Sequence, residues 1–203
     1  MSYKFIKRLF DIILGLLAII VMIPIFLFVK FMFLCSGDTG NILYYQERIG
    51  KNGKKFKMMK FRSMVQNADE MLEELLKDER YKKEWEANQK IENDPRITKI
   101  GRILRKSSMD EMPQLWNVLI GDMSLVGPRP LVEGELESHG GSDFYWKVKP
   151  GITGWWACHG RSNLKYAERL ELEYYYIRNC SLKLDLICIY KTVFAILQHK
   201  GAM

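Results

Sequence analysis

From Ile12 to Val29 the chain carries no charged residue, and elsewhere its apolar positions come in short periodic sets. At about 1.5 Å per helical residue that run is about 27 Å long, near the roughly 30 Å hydrocarbon core of a bilayer. The pattern predicts a membrane segment. No small-x-small site follows it, and Met32-Phe33-Leu34 ahead of Cys35 lacks the small residues of a lipoprotein signal, so the segment is expected to be retained. Pro24 falls inside, where a proline costs a helix about 3 kcal/mol unless a kink absorbs the loss. Lys4, Lys7 and Arg8 precede the run, and Arg48, Lys51, Lys54, Lys55, Lys57, Lys60 and Arg62 follow it. Positive flanks on both sides favour a helix that enters, breaks at Pro24 and returns to the same face; a kinked single-pass anchor is the alternative.

The next apolar sets are shorter. Ile42 to Ile49 and Lys55 to Phe61 flank Asn52-Gly53, which predicts a basic β-hairpin. Between Val65 and Ile91, Ala68, Met71, Leu72, Leu75 and Leu76 recur at helical spacing and predict an amphipathic helix. Ile97, Ile100, Ile103 and Leu104 give an apolar stripe beside Arg96, Lys99, Arg102, Arg105 and Lys106, a pattern shared by core helices and helices lying in a membrane interface. From Glu111 to Ile120 the residues Met112, Leu115, Trp116, Val118, Leu119 and Ile120 predict a buried helix starting near Asp110, with Pro113 in its first turn and Gly121 as a left-handed cap. Trp146, Trp155 and Trp156 default to core packing. Leu182 to Leu197 reads as a closing helix, with Ser181 as its cap.

Composition adds one constraint. A net charge of +7 implies an anionic partner: nucleic acid, a membrane surface or a phosphorylated substrate. Cys35, Cys158, Cys180 and Cys188 form no C-x-x-C pair or zinc spacing and read as reduced thiols, while His139, His159 and His199 are isolated surface or packing residues.

The candidate chemistry lies between Lys106 and Pro130, KSSMDEMPQLWNVLIGDMSLVGPRP. Ser108-x-x-Glu111 has the form of a capping box, so Asp110 and Glu111 have a purely structural reading. The functional reading draws on Asp122 just past the helix and on Arg129, held between Pro128 and Pro130 after Gly127. A cation on a stiff loop near carboxylates suits a phosphate and a hard divalent metal such as magnesium. A helix N-terminus would keep Asp110 ionised and able to act as a nucleophile.

The stretch S-x-D-E-x-P-Q-L-x-N-V-L-x-G-D-M-S-L-V-G-P-R-P resembles the signature of the bacterial sugar transferases, monotopic phosphoglycosyl transferases that start glycan assembly on polyprenol phosphate. The likeness extends to KRLFD at Lys7, ERIGKNGKKFKMMKFRSM at Glu47, DPRITKIGRILRKSS at Asp94, PGITGWW at Pro150 and NCSLKLDL at Asn179. It departs from the pattern at Ile23-Pro24, where Ser-Pro is usual, and at Ala157-Cys158, Glu173 and Cys180.

The resemblance implies an α+β, mainly helical fold: a re-entrant membrane helix over residues 1–38, then a compact catalytic domain over 39–203 with a small β-hairpin and amphipathic interfacial helices. It implies that Asp110 attacks a UDP-sugar, releasing UMP, and that polyprenol phosphate then takes the phosphosugar. Mg²⁺ would be held by Asp110 and Glu111, and Arg129, Arg161, Pro128 and Asp122 would form the substrate site. Lys7, Arg8 and Pro24 would serve the membrane. The expected setting is the cytoplasmic face of a bacterial inner membrane, with lipid as a partner and no nucleic acid; a homodimer is left open.

Overall fold

A computed structural model describes residues 3–88, 91–160 and 164–197. Helix α1 (Tyr3–Cys35) contains the whole uncharged run, and among the described residues it is the one helix long and apolar enough to cross a membrane. Pro24 lies within α1 and does not end it, so the expected division into two helices is not seen. A proline removes one N–H donor, and the long apolar segments on either side sustain the helix. Asp11, Gly15, Met22, Val29 and Phe33 form its buried stripe, whereas Phe5, Leu16, Ile20, Leu27, Phe31 and Leu34 are exposed.

That buried stripe is docked from end to end. Asp185, fully buried, accepts hydrogen bonds from Tyr3 Oη at 3.0 Å, Lys7 Nζ at 3.1 Å and Tyr176 Oη at 2.6 Å. Asp11 accepts from Ser124 Oγ and the Leu125 N–H, both at 3.0 Å. A Cβ on Gly15 would come within 2.9 Å of Leu119, so glycine here lets α1 approach closely. Further along, Met22, Val29 and Phe33 share a core with Phe61, Leu104 and Leu115.

Strands β1 (Leu43–Ile49) and β2 (Lys55–Phe61) form the predicted antiparallel hairpin, with Leu43 opposite Phe61 and Ile49 opposite Lys55. Asn52 and Gly53 supply the positive φ angles of its turn. The amphipathic segment after it is two helices, α2 (Ala68–Leu75) and α3 (Glu79–Asn88). Asp78 Oδ1 accepts the Arg80 N–H, and that local bond starts a new helix where periodicity alone suggested continuation. Helix α4 (Lys99–Lys106) is capped by Thr98, whose side chain accepts the Gly101 N–H. Leu104 is buried and Ile103 exposed, so the α4 stripe is shared between core and surface.

Past α4 come α5 (Gln114–Ile120) and β3 (Ser124–Val126), then α6 (Glu135–Ser138) and β4 (Gly151–Thr153). β3 and β4 pair in parallel, a second small sheet with no hydrophobic alternation long enough to announce it. Helices α7 (Tyr166–Asn179) and α8 (Leu182–Leu197) close the chain, and Ser181 Oγ caps α8 by accepting the Leu184 N–H. Leu131, Leu136, Tyr145, Tyr176 and Cys188 pack between these elements. Among the described residues the fold is mainly helical with two two-stranded sheets.

Candidate active site

The pocket is built at the N-terminal end of α5. Ser108, left-handed at φ 55°, turns the chain out of α4 into a 3-10 turn at Met109–Glu111, and α5 starts only after Pro113. The helix therefore begins later than the apolar pattern suggested, and Ser108 makes no capping hydrogen bond. A left-handed Ser108 points the chain away from capping geometry. Asp110 and Glu111 project from a tight turn instead. Burial, with the neighbouring Glu111, raises the Asp110 carboxyl above the ordinary aspartate range, against the lowering expected from a helix dipole; Lys60 and Arg105 act in the opposite direction.

A cavity of about 110 Å³ opens beside this turn. Its lining includes Glu111, Gln114, Lys60 and Met58 of β2, Arg48 of β1, Arg129 and Pro130, and Trp156. Lys60 Nζ lies 3.1 Å from Glu111 Oε1. Asn117, fully buried in α5, accepts the Met59 N–H at 2.9 Å and donates to the Lys57 carbonyl at 2.8 Å, which fixes the helix against β2.

The Gly127–Pro130 loop is clamped on several sides. A Cβ on Gly127 would come within 2.4 Å of the Lys149 carbonyl oxygen, so no side chain fits there. The Pro128 carbonyl accepts the Gly151 N–H at 2.8 Å. Arg129 donates its backbone N–H to Glu173 Oε1 at 3.1 Å, while its carbonyl accepts from Tyr145 Oη at 2.8 Å. Its guanidinium lies 3.4 Å from Glu135. Burial pushes the Glu173 carboxyl up to about 7, although the Arg129 N–H and Arg169 favour its charge.

The structure thus brings Glu111 and Arg129 to one cavity, with Asp110 adjoining in the turn and Pro128 in the loop frame. Asp122 is not in the lining. It follows the other end of α5, where its charge acts on Lys149. Arg161 and His199 lie outside the described residues. Lys7 and Arg8 make protein contacts: Lys7 pairs with Asp185, and Arg8 donates to the Val118 and Leu119 carbonyls at 2.6 and 2.7 Å, capping α5. In the sequence Arg48 and Lys60 read as positive flanks, and Asn117 and Gln114 are members of the signature with no assigned part. The alternation on β2, with Met58 and Lys60 on one face, was the available signal.

Two adjacent carboxylates suit magnesium, which keeps several waters and takes one or two carboxylates together with substrate phosphate oxygens. Among the described residues no group of three or more acidic, histidine or cysteine ligands assembles, so the protein would supply only part of such a shell.

A second, apolar groove of about 330 Å³ lies on the other face of β2. Ile19, Met22 and Phe26 of α1 line it with Met59, Leu115 and Trp116. Trp116 is 52% exposed here, although its place in the apolar series suggested burial. β2 and the start of α5 therefore separate a polar cavity from an apolar groove that continues into α1.

Residues 2–199 match the model of a protein family described as bacterial sugar transferase. The chain is 46% identical over 203 residues to the UDP-galactose-lipid carrier transferase of Erwinia amylovora, covering 99% of this chain and 42% of that protein. It is 43% identical over 203 residues to the undecaprenyl-phosphate galactose phosphotransferase of Salmonella typhimurium, covering 99% and 42%. With the exopolysaccharide production protein ExoY of Sinorhizobium fredii it shares 43% identity over 198 residues, 97% of this chain and 87% of that one. The chain thus spans less than half the length of the first two relatives and most of the third.

Proposed function

The chain belongs to the bacterial sugar transferase family, and from that premise we propose that it transfers a sugar 1-phosphate from a UDP-sugar to polyprenol phosphate at a membrane surface. The observation that carries this reading is the pairing of a cationic cavity beside Asp110 and Glu111 with an apolar groove across the same strand. One suits a diphosphate, the other an isoprenoid chain. The names of the Salmonella and Erwinia relatives, a phosphotransferase acting on undecaprenyl phosphate and a lipid carrier transferase, support the same chemistry.

In the proposed reaction an Asp110 carboxylate oxygen attacks the sugar-linked phosphorus, the bond to the bridging oxygen breaks, and UMP leaves with that oxygen. A phosphosugar remains on Asp110 as an acyl phosphate. An oxygen of polyprenol phosphate then attacks the same phosphorus, forming polyprenol diphosphosugar and returning the carboxylate. Covalent catalysis lets a soluble and a lipid substrate use one small site in turn. Lys60 and Arg129 hold phosphate oxygens, and Glu111 assists metal binding or the acceptor's deprotonation. Magnesium, when bound, would neutralise charge on the diphosphate.

The membrane arrangement proposed is re-entrant or surface-lying, at the cytoplasmic face of the inner membrane. About 50 Å of helix docks on the rest of the protein at Tyr3 and Lys7, at Gly15 and at Phe33. A simple span would place these contacts on opposite sides of the bilayer.

The test is nucleotide release from full-length protein in nanodiscs containing polyprenol phosphate, with magnesium and a panel of UDP-sugars. UMP is the product expected, and its absence with Asp110→Asn would assign the step. UDP as the product would mean direct glycosyl transfer and would overturn the proposal.

A further inference from the structure

Arg48 stands out on the wall of the polar cavity. It is 9% exposed, yet its guanidinium makes one short hydrogen bond, to Gln46 Oε1 at 2.7 Å. Its contact with Glu135 is 3.8 Å long, and its buried Nε has no hydrogen-bond partner. Glu135 is also shared with Arg129 at 3.4 Å and Arg169 at 3.5 Å, so one carboxylate faces three guanidinium groups. An arginine carries five N–H donors, and leaving buried donors unspent is costly. Burial and the charge of Arg129 lower the Arg48 pKa to about 10, although Glu135 and Glu111 favour its charge.

The simpler explanation, a structural ion pair with Glu135, accounts poorly for these distances. A carboxylate dedicated to Arg48 would sit at bidentate range, and Glu135 instead lies closer to the other two arginines. The cavity wall itself carries Arg48, Lys60 and Arg129 against Glu111. With Glu135 counted as well, three cations meet two carboxylates, which leaves an excess of positive charge in a small space. An anion with several oxygens on two phosphorus atoms would satisfy donors from both β1 and the Gly127–Pro130 loop.

We infer that Arg48 is a phosphate-binding residue of this cavity, reaching the diphosphate of the nucleotide donor from the β-hairpin while Arg129 reaches it from the loop. This rests on the transfer reading above for the identity of the donor, but the anion site itself does not. In the free protein Glu135 serves as the common counter-ion of the arginines. Arrival of the diphosphate gives Arg48 the acceptors it lacks.

The experiment is equilibrium binding, by calorimetry, of inorganic pyrophosphate and of UDP to the full chain in nanodiscs without acceptor lipid. Arg48→Gln is expected to weaken both on the order of 10-fold or more, as for loss of a charge-assisted hydrogen bond. Arg48→Lys, which keeps the charge and lowers the risk of misfolding, is expected to weaken them by roughly 3-fold or more because the planar fork is lost. Lys55→Gln, an exposed lysine on the same hairpin, should bind like wild type. Either Arg48 variant, folded by thermal melt, binding both anions as wild type does would overturn the inference, and so would equal weakening by Lys55→Gln. A wild type that binds both anions but transfers no sugar phosphate would overturn the transfer reading and leave this site intact. Full transfer with unchanged donor KM in Arg48→Gln would do the reverse.

Discussion

Two sets of carboxylates in this protein have opposite surroundings. Asp11 and Asp185, where α1 docks, are buried and accept two and three hydrogen bonds, respectively, from side chains or backbone. Asp110 and Glu111 sit half-buried in a tight turn, with one lysine as a direct ion-pair partner of Glu111. A buried carboxylate bonded into the fold is out of a substrate's reach, and its loss strands the donors around it. A half-buried one beside a cavity is open to a ligand, and the fold depends on it less. The same residue type is scaffold in one place and candidate site in the other.

Substitutions should separate the two sets. Asp110→Asn is expected to reduce UMP release by three orders of magnitude or more, as for loss of a nucleophile. Because burial raises the Asp110 carboxyl, its ionisation opposes folding as pH rises, so the Asn variant should melt at the wild-type temperature or above it near neutral pH. A large fall in Tm would place Asp110 among the scaffold residues. Asp185→Ala should do the opposite. Leaving Lys7 without its buried partner costs about 4 kcal/mol, or on the order of 10 °C in Tm for a chain of this size.

Glu173 lies between the two classes, since it is buried yet supports the Arg129 backbone. Its carboxyl is raised from 4.5 to about 7, so its contribution to stability is present below pH 4.5 and is lost as pH rises through about 7. Glu173→Gln should flatten that part of the pH–stability curve, worth at most about 3 kcal/mol, as read by denaturant titration at several pH values. An unchanged slope would show that the group is not buried as described. Smallest is Arg8→Ala, expected to cost about 2 kcal/mol from two lost bonds to the α5 carbonyls, with kcat little changed.

Much of this arrangement was legible in the chain, and the exceptions share a cause. The hairpin, α4, α8 and the Gly121 cap are local events, written in Asn52-Gly53, the Ile97, Ile100, Ile103 and Leu104 stripe, Ser181 and a glycine at φ 98°. The 106–130 stretch declared Asp110, Glu111 and Arg129 because they are close in sequence. Arg48 and Lys60 stand well before that stretch, and their arrival at the cavity depends on hairpin register and on Asn117 binding β2. β3 and β4 are short and far apart in sequence, so their pairing leaves no periodic trace. Asp11 and Asp185 lay inside recognised motifs, but only packing reveals that they tie α1 to the body. The division of α2 from α3 turns on a single Asp78 side-chain bond, which hydrophobic spacing does not register.

On the proposed covalent route Asp110 carries the transferred group between the two half-reactions, and mass spectrometry of the digested protein detects it there. Full-length protein is mixed with magnesium and a UDP-sugar that supports turnover, with acceptor lipid omitted, then quenched and digested. The expected result is a mass increase of one sugar phosphate on the peptide carrying Asp110, absent from Asp110→Asn and discharged when polyprenol phosphate is added. Turnover without any adduct, or an adduct that persists in Asp110→Asn, would contradict it.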